Sequence, residues 1–94
     1  AYSDARLKTD IEKIPDALKK VNALNGYTFN RVDQEGPRQT GVIAQEVLEV
    51  LPEAVIATEE HLSVAYGNMV GLLIEAVKEL SQELADLKAK IGEK

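Results

Sequence analysis

Chemistry in this chain has few possible carriers. There is no cysteine, and His61 is the one histidine among 94 residues. That removes thiol nucleophiles, disulfides, thiolate zinc sites and His-based metal constellations, so covalent work falls to a hydroxyl or a lysine. The serines are Ser3, Ser63 and Ser81. Ser63 lies in a β-prone run and Ser81 beside a regular helical stripe, and both read as structural residues. Ser3 differs in having Asp4, Arg6 and Lys8 within five residues. A Ser-Lys dyad uses a neutral lysine to take the hydroxyl proton while the oxygen attacks a carbonyl. A free lysine titrates near 10.4, so Lys8 needs desolvation or a neighbouring cation such as Arg6 to serve as a base.

Geometry sets a second condition. Residues five apart point about 140° from each other on a helix and to opposite faces of a strand. The segment must therefore bend, or an adjacent subunit must complete the site. The same residues also suit a purely structural role, with Ser3 capping a helix and Asp4 favouring its first turn. Arg6 has two roles open to it, tuning Lys8 or pairing with Asp4 at the surface.

The elements that would position these groups are short. Thr9 to Glu12 has capping-box spacing, which predicts a short helix from Asp10. Pro15 interrupts it and opens a second helix through Leu24, stopped by Asn25-Gly26. Residues 27–32 alternate as a half-buried strand, and residues 33–41, with Gly36-Pro37, read as a hairpin loop or projection. That loop is either a contact surface or simply solvated. Residues 42–51 suit an amphipathic helix closed by Pro52, in which Gln45 and Glu46 are either subunit contacts or a solvated face. Residues 54–57 and 62–64 predict a small antiparallel ribbon.

From about residue 65 to residue 91 the pattern is continuously helical. With Val70 at heptad position a, the a positions are Val70, Val77, Leu84 and Ile91, and the d positions are Leu73, Leu80 and Leu87. All of these are aliphatic, the signature of a coiled-coil seam. In a parallel arrangement Glu83 at g meets Lys88 at e of the next chain. The alternative is that the stripe covers the chain's own core. Val at a with Leu at d favours two strands, and Leu84 and Ile91 at later a positions weaken that preference. The expected fold class is α+β, mainly helical: one domain over residues 1–94, with short helices and small β-ribbons ahead of a coiled-coil helix at 65–91.

Composition narrows the function. A formal charge of −5 argues against a phosphate backbone as partner, so no nucleic acid is expected. No run approaches the ~20 apolar residues of a membrane span, and the start lacks the pattern of a signal peptide, so no membrane partner is expected. With only four aromatics among Tyr and Phe, a large stacking site for a small-molecule substrate is not expected, and no cofactor or metal is implied.

The ordered set Ser3-Asp4-Ala5-Arg6-Leu7-Lys8, then Ile11 and Ile14, Asp16-Ala17-Leu18, Gly41-Val42-Ile43-Ala44-Gln45-Glu46-Val47 with Pro52-Glu53, and Val64-Ala65-Tyr66 before a Leu-rich helix, closely resembles one family. This is the C-terminal intramolecular chaperone domain of bacteriophage tail spikes, tail fibres and endosialidases, also classed as peptidase family S74. The resemblance covers essentially the whole chain. It implies a homotrimer, with residues 65–91 in a parallel three-stranded coiled coil, that promotes trimerisation and folding of an upstream fibre or spike as its client and then cuts itself off. It further implies Ser3 as nucleophile, Lys8 as base and Tyr2-Ser3 as the scissile bond, with Asp4 and Arg6 in support. Ala1-Tyr2 is then a remnant of the upstream chain or an addition made for expression. Assembly is implied to take place in the host cytoplasm, with the released domain absent from the mature virion. A non-cleaving trimerisation module and the related autocleavage domain of myelin regulatory factor-like transcription factors are the alternatives.

Overall fold

The computed structural model describes residues 3–92. Three α-helices, α1 (Ala17–Asn22), α2 (Ala44–Val50) and α3 (Val70–Gly92), combine with two separate antiparallel hairpins, β1 (Tyr27–Phe29) with β2 (Gln39–Gly41) and β3 (Val55–Ala57) with β4 (Leu62–Val64). The class is α+β with a long C-terminal helix. Registers are Tyr27 opposite Gly41 and Val55 opposite Val64. Short 3-10 turns at Ala5–Leu7, Pro52–Ala54 and Tyr66–Met69 make the remaining corners.

The core is small and sits where α1, α2 and the first turns of α3 meet. It comprises Ala17, Val47, Leu51, Ala54, Met69, Leu72 and Ala76, with Ile14, Leu18, Val21 and Leu24 packed around it. Leu72 and Val47 are its largest fully buried side chains. Each large aliphatic that is fully buried contributes about 1.5–3 kcal/mol, so much of the stabilisation in this core comes from few side chains. Met69 and Leu72 tie the base of α3 to it.

Several sequence expectations are corrected. No helix starts at Asp10: residues 8–16 form an irregular strap, with Asp10 and Asp16 both in the left-handed region (φ 53° and 51°). Pro15 leaves room for only about one turn after the capping box, and one turn does not repay helix nucleation. The next helix begins at Ala17 and ends at Asn22, two residues short of Leu24. Strand β1 stops at Phe29 because its partner β2 offers only three residues. Helix α2 begins at Ala44 rather than Val42, because Gly41 is still paired in β2 and Ile43 remains extended (φ −98°, ψ 123°), while the Val42 amide donates to the Tyr66 hydroxyl (3.1 Å). The final helix starts at Val70, after a 3-10 turn over Tyr66–Met69. Pro52 does end α2, and the expected antiparallel ribbon forms over Val55–Ala57 and Leu62–Val64, with Ala54 in the 3-10 turn before it.

Gly41 has a specific reason to lack a side chain. A Cβ there would collide with the Tyr66 hydroxyl, which folds over the end of β2. Tyr66 thereby joins the first hairpin to the base of α3, and Tyr27 joins it to α2 by donating to Glu46 Oε2 (2.7 Å).

The a and d residues of α3 behave differently from the core. Val70, Leu73, Val77, Leu80, Leu84, Leu87 and Ile91 are each about half or more exposed. The buried positions on α3 are Leu72 and Ala76, on a different face. The aliphatic stripe therefore does not cover the chain's own core, and from Ser81 to Gly92 every residue of the helix is exposed.

Candidate active site

The bend that the Ser3/Lys8 spacing demands is supplied by the first 3-10 turn. Asp4 caps it, accepting the Arg6 amide on Oδ1 (2.9 Å), while the Leu7 amide donates to the Asp4 carbonyl (3.0 Å) and the Lys8 amide to the Ala5 carbonyl (3.1 Å). Lys8 leaves the turn in extended geometry (φ −122°, ψ 144°). Its side chain folds back, and Lys8 Nζ donates to Ser3 Oγ at 2.8 Å. Neither a regular helix nor a strand would bring these two atoms together.

Arg6 clamps the same turn. Its Nε donates to both Asp4 oxygens (3.1 and 3.2 Å) and its Nη2 to Oδ2 (2.7 Å). The guanidinium hydrogen bond, followed by that of the Arg6 amide, holds the Asp4 carboxyl below the usual aspartate range, and the pairing raises Arg6. Of its two possible roles, Arg6 adopts the Asp4 pairing in this structure. Ser3 and Lys8 are both exposed to water on the single chain. Tyr2, the other half of the expected scissile bond, lies outside the described residues.

The remaining residues considered for chemistry are placed elsewhere. Ser63 Oγ donates across its hairpin to the Ile56 carbonyl (3.4 Å), and Ser81 is an exposed position on α3. His61 closes the β3–β4 turn, its amide donating to Thr58 Oγ1 and its carbonyl accepting from the same hydroxyl. Gln45 is exposed, whereas Glu46 is half-buried on Tyr27. Among the described residues no cluster of His, Cys, Asp and Glu is placed to hold a metal ion, and no helix is long and apolar enough to cross a membrane.

One positioning residue escaped the sequence reading. Glu79 on α3 accepts the Ala17 amide on Oε2 (2.9 Å) and the Leu18 amide on Oε1 (3.0 Å), capping α1 from about sixty residues away. Asp16, the residue immediately before α1, is left-handed and its side chain makes no cap bond. The Leu18 and then the Ala17 amide lower the Glu79 carboxyl below the usual glutamate range. The strap that follows the Ser3/Lys8 turn enters the fold here, with Ile14 packed against the core. Nothing in the sequence marks Glu79, since the face of α3 that the core takes is set by packing against α1.

Residues 3–56 match the model of the Peptidase_S74 family, described as the chaperone of endosialidase. That span holds Ser3, Lys8, the first hairpin and α2. The chain is 38% identical over 98 residues to the long tail fiber protein Gp37 of Enterobacteria phage K3, and equally so to that of Enterobacteria phage T2, with 95% of the chain covered in each case. It spans 8% and 7% of the length of these two relatives. Myelin regulatory factor homolog 1 of Caenorhabditis elegans is 35% identical over 63 residues, covering 67% of the chain and 7% of that protein. With more than half of its length matched, starting at the serine that Lys8 contacts, the chain belongs to the Peptidase_S74, chaperone of endosialidase, family.

Proposed function

We propose that this domain is an intramolecular chaperone that trimerises through α3, assists the folding of an upstream tail fibre, and then releases itself by cutting the Tyr2-Ser3 bond. The observation that carries the chemistry is the 2.8 Å contact between Lys8 Nζ and Ser3 Oγ. In its neutral form Lys8 takes the Ser3 hydroxyl proton, and Oγ attacks the Tyr2 carbonyl carbon. A C–O bond forms as the Tyr2–Ser3 C–N bond breaks, and the proton passes to the departing Ser3 amine. Water then hydrolyses the ester, restoring the Ser3 hydroxyl and leaving a carboxylate on Tyr2. Each copy performs one turnover on its own chain and needs no cofactor.

The exposure of both side chains gives assembly a role. A lysine base needs a desolvated site, which the open turn of a single chain does not give, so the site is completed only when the turn is covered by the folded client or a neighbouring subunit. Such a requirement delays the cut until the chaperone has finished. The half-exposed a and d residues, with the fully exposed second half of α3, support the trimer. An isolated helix of that length is marginal in water, and burying the remaining half of each seam side chain is worth about 1 kcal/mol apiece.

The client follows from the relatives, since the chain aligns with a small part of long tail fibre proteins. We assign client contact to the loop between β1 and β2, where Val32 is fully exposed. Replacing residues 34–38 by a short turn is expected to slow client trimerisation, and unchanged assembly would remove the loop from the account. Assembly in the host cytoplasm, with the released domain absent from the virion, completes the reading. The nematode relative favours a second context, in which the same cut releases part of a transcription factor.

The decisive experiment expresses the domain behind its upstream segment. Intact mass and N-terminal sequencing are expected to find a C-terminal fragment starting at Ser3. Ser3→Ala and Lys8→Ala are each expected to abolish the fragment while trimers persist. Normal cleavage in either variant would refute the dyad, and a client that stays attached in the wild type would leave a plain trimerisation module.

A further inference from the structure

An apolar groove of about 310 Å³ opens beside the base of α3, lined by Val21 of α1, Leu24 just after it, Val42, Tyr66, Met69 and Leu73. Leu73 is itself a d residue of the exposed seam, so groove and seam form one continuous apolar surface. Met69, the last residue of the 3-10 turn before Val70, stands at position g of the heptad frame. On the opposite flank of the seam, at position e, is Ile74, half exposed. Ile74 lies about 200° around the helix from Leu72, which the core buries, and therefore faces away from its own α1.

We infer that this groove is the receptor for Ile74 of the neighbouring copy. In a parallel coiled coil a g residue faces the e residue five positions later on the next chain. The register that sets Glu83 against Lys88, opposite charges, also sets Met69 against Ile74 two heptads earlier, apolar against apolar. Each copy carries the receptor on one flank of its seam and the knob on the other. Such an interface is heterologous, and a threefold axis closes it into a ring with every groove filled. The globular base thus joins the association, because the groove's far wall is α1 and Val42 rather than another part of α3. This inference rests on the proposed coiled coil and adds to it a contact between one copy's α3 and the next copy's α1.

The test uses the full chain, whose lack of native cysteine makes any thiol cross-link specific. In an equimolar mixture of Leu24→Cys and Ile74→Cys chains, a short bismaleimide is expected to join position 24 of one copy to position 74 of the next, a link that no single copy can make and that mass spectrometry of the cross-linked peptides identifies. Separately, Ile74→Ser is expected to weaken self-association at least about tenfold by sedimentation, with an unchanged far-ultraviolet circular dichroism spectrum. Trimers that sediment normally yet give no 24–74 cross-link, or that are indifferent to Ile74→Ser, would overturn the groove while leaving the coiled coil standing. A wild-type chain that stays monomeric at every concentration would overturn both.

Discussion

At the scale of single residues, the Ser3/Lys8 contact depends on a turn that Asp4 and Arg6 hold closed. An isolated surface ion pair stabilises little. Here its consequence is positional, because the clamp closes the turn that brings Ser3 and Lys8 into direct contact. Asp4→Ala is expected to slow release of the Ser3 fragment by about 10–100-fold, the range that a displaced catalytic group costs, without abolishing trimers. The measurement is a cleavage time course of the full-length protein. Acid opens the same clamp. The Asp4 carboxyl is depressed in the folded chain, chiefly by the Arg6 side chain, so its contribution is complete above the free aspartate range and lost as pH falls through the lowered folded value. Proton titration by NMR is expected to place Asp4 below a free aspartate, and Arg6→Ala to return it upward.

At the scale of elements, α1 illustrates how a six-residue helix survives. It is too short to be stable alone, and its first two amides are satisfied by Glu79 rather than by a local cap. Glu79→Gln is expected to lower Tm by roughly 4–8 °C near neutral pH, the effect of losing a good cap in a domain of this size. The folded carboxyl is depressed by the two amides, so its stabilisation is present above the free glutamate range, about 4.3, and disappears as pH falls through the lower folded value. Melting curves of wild type and Glu79→Gln are therefore expected to converge in acid. The packing beneath is tested by Leu72→Ala, which opens a cavity in a fully buried site and is expected to cost about 2–5 kcal/mol in urea unfolding.

At the scale of the whole molecule, the chain divides its aliphatic residues between two tasks. Leu72 and Ala76 face inward to a small core, and the seam residues of the same helix face outward. A substitution in the exposed second half of α3 therefore separates folding from association. Leu84→Asp is expected to leave the cooperative unfolding of the core intact while weakening trimerisation at least about 100-fold, since a charge must be buried in an apolar seam, with loss of helicity confined to the exposed half of α3. Sedimentation equilibrium reads the result. Cleavage of a full-length Leu84→Asp protein is expected to fail as well, because the proposed chemistry waits on assembly.

Periodicity and punctuation in the sequence were enough to determine the long helix, the aliphatic seam, the β3–β4 ribbon and the end of α2 at Pro52, because each follows from local geometry repeated over consecutive residues. The absence of cysteine and the single histidine also narrowed any nucleophile to a hydroxyl or a lysine, and the proposed function takes Ser3 and Lys8 from that short set. Only the tertiary structure decided what depended on distant partners. The expected helix after Thr9 is a strap because Pro15 follows too soon and Ile14 packs against the core instead. Helix α1 is capped by a residue some sixty positions away, and Gly41 is bare because Tyr66 lies over it. The face of α3 that the core takes, and hence the seam left open to another chain, was fixed by where α1 could dock. Local pattern sets which residues share a face, and three-dimensional packing alone sets what that face meets.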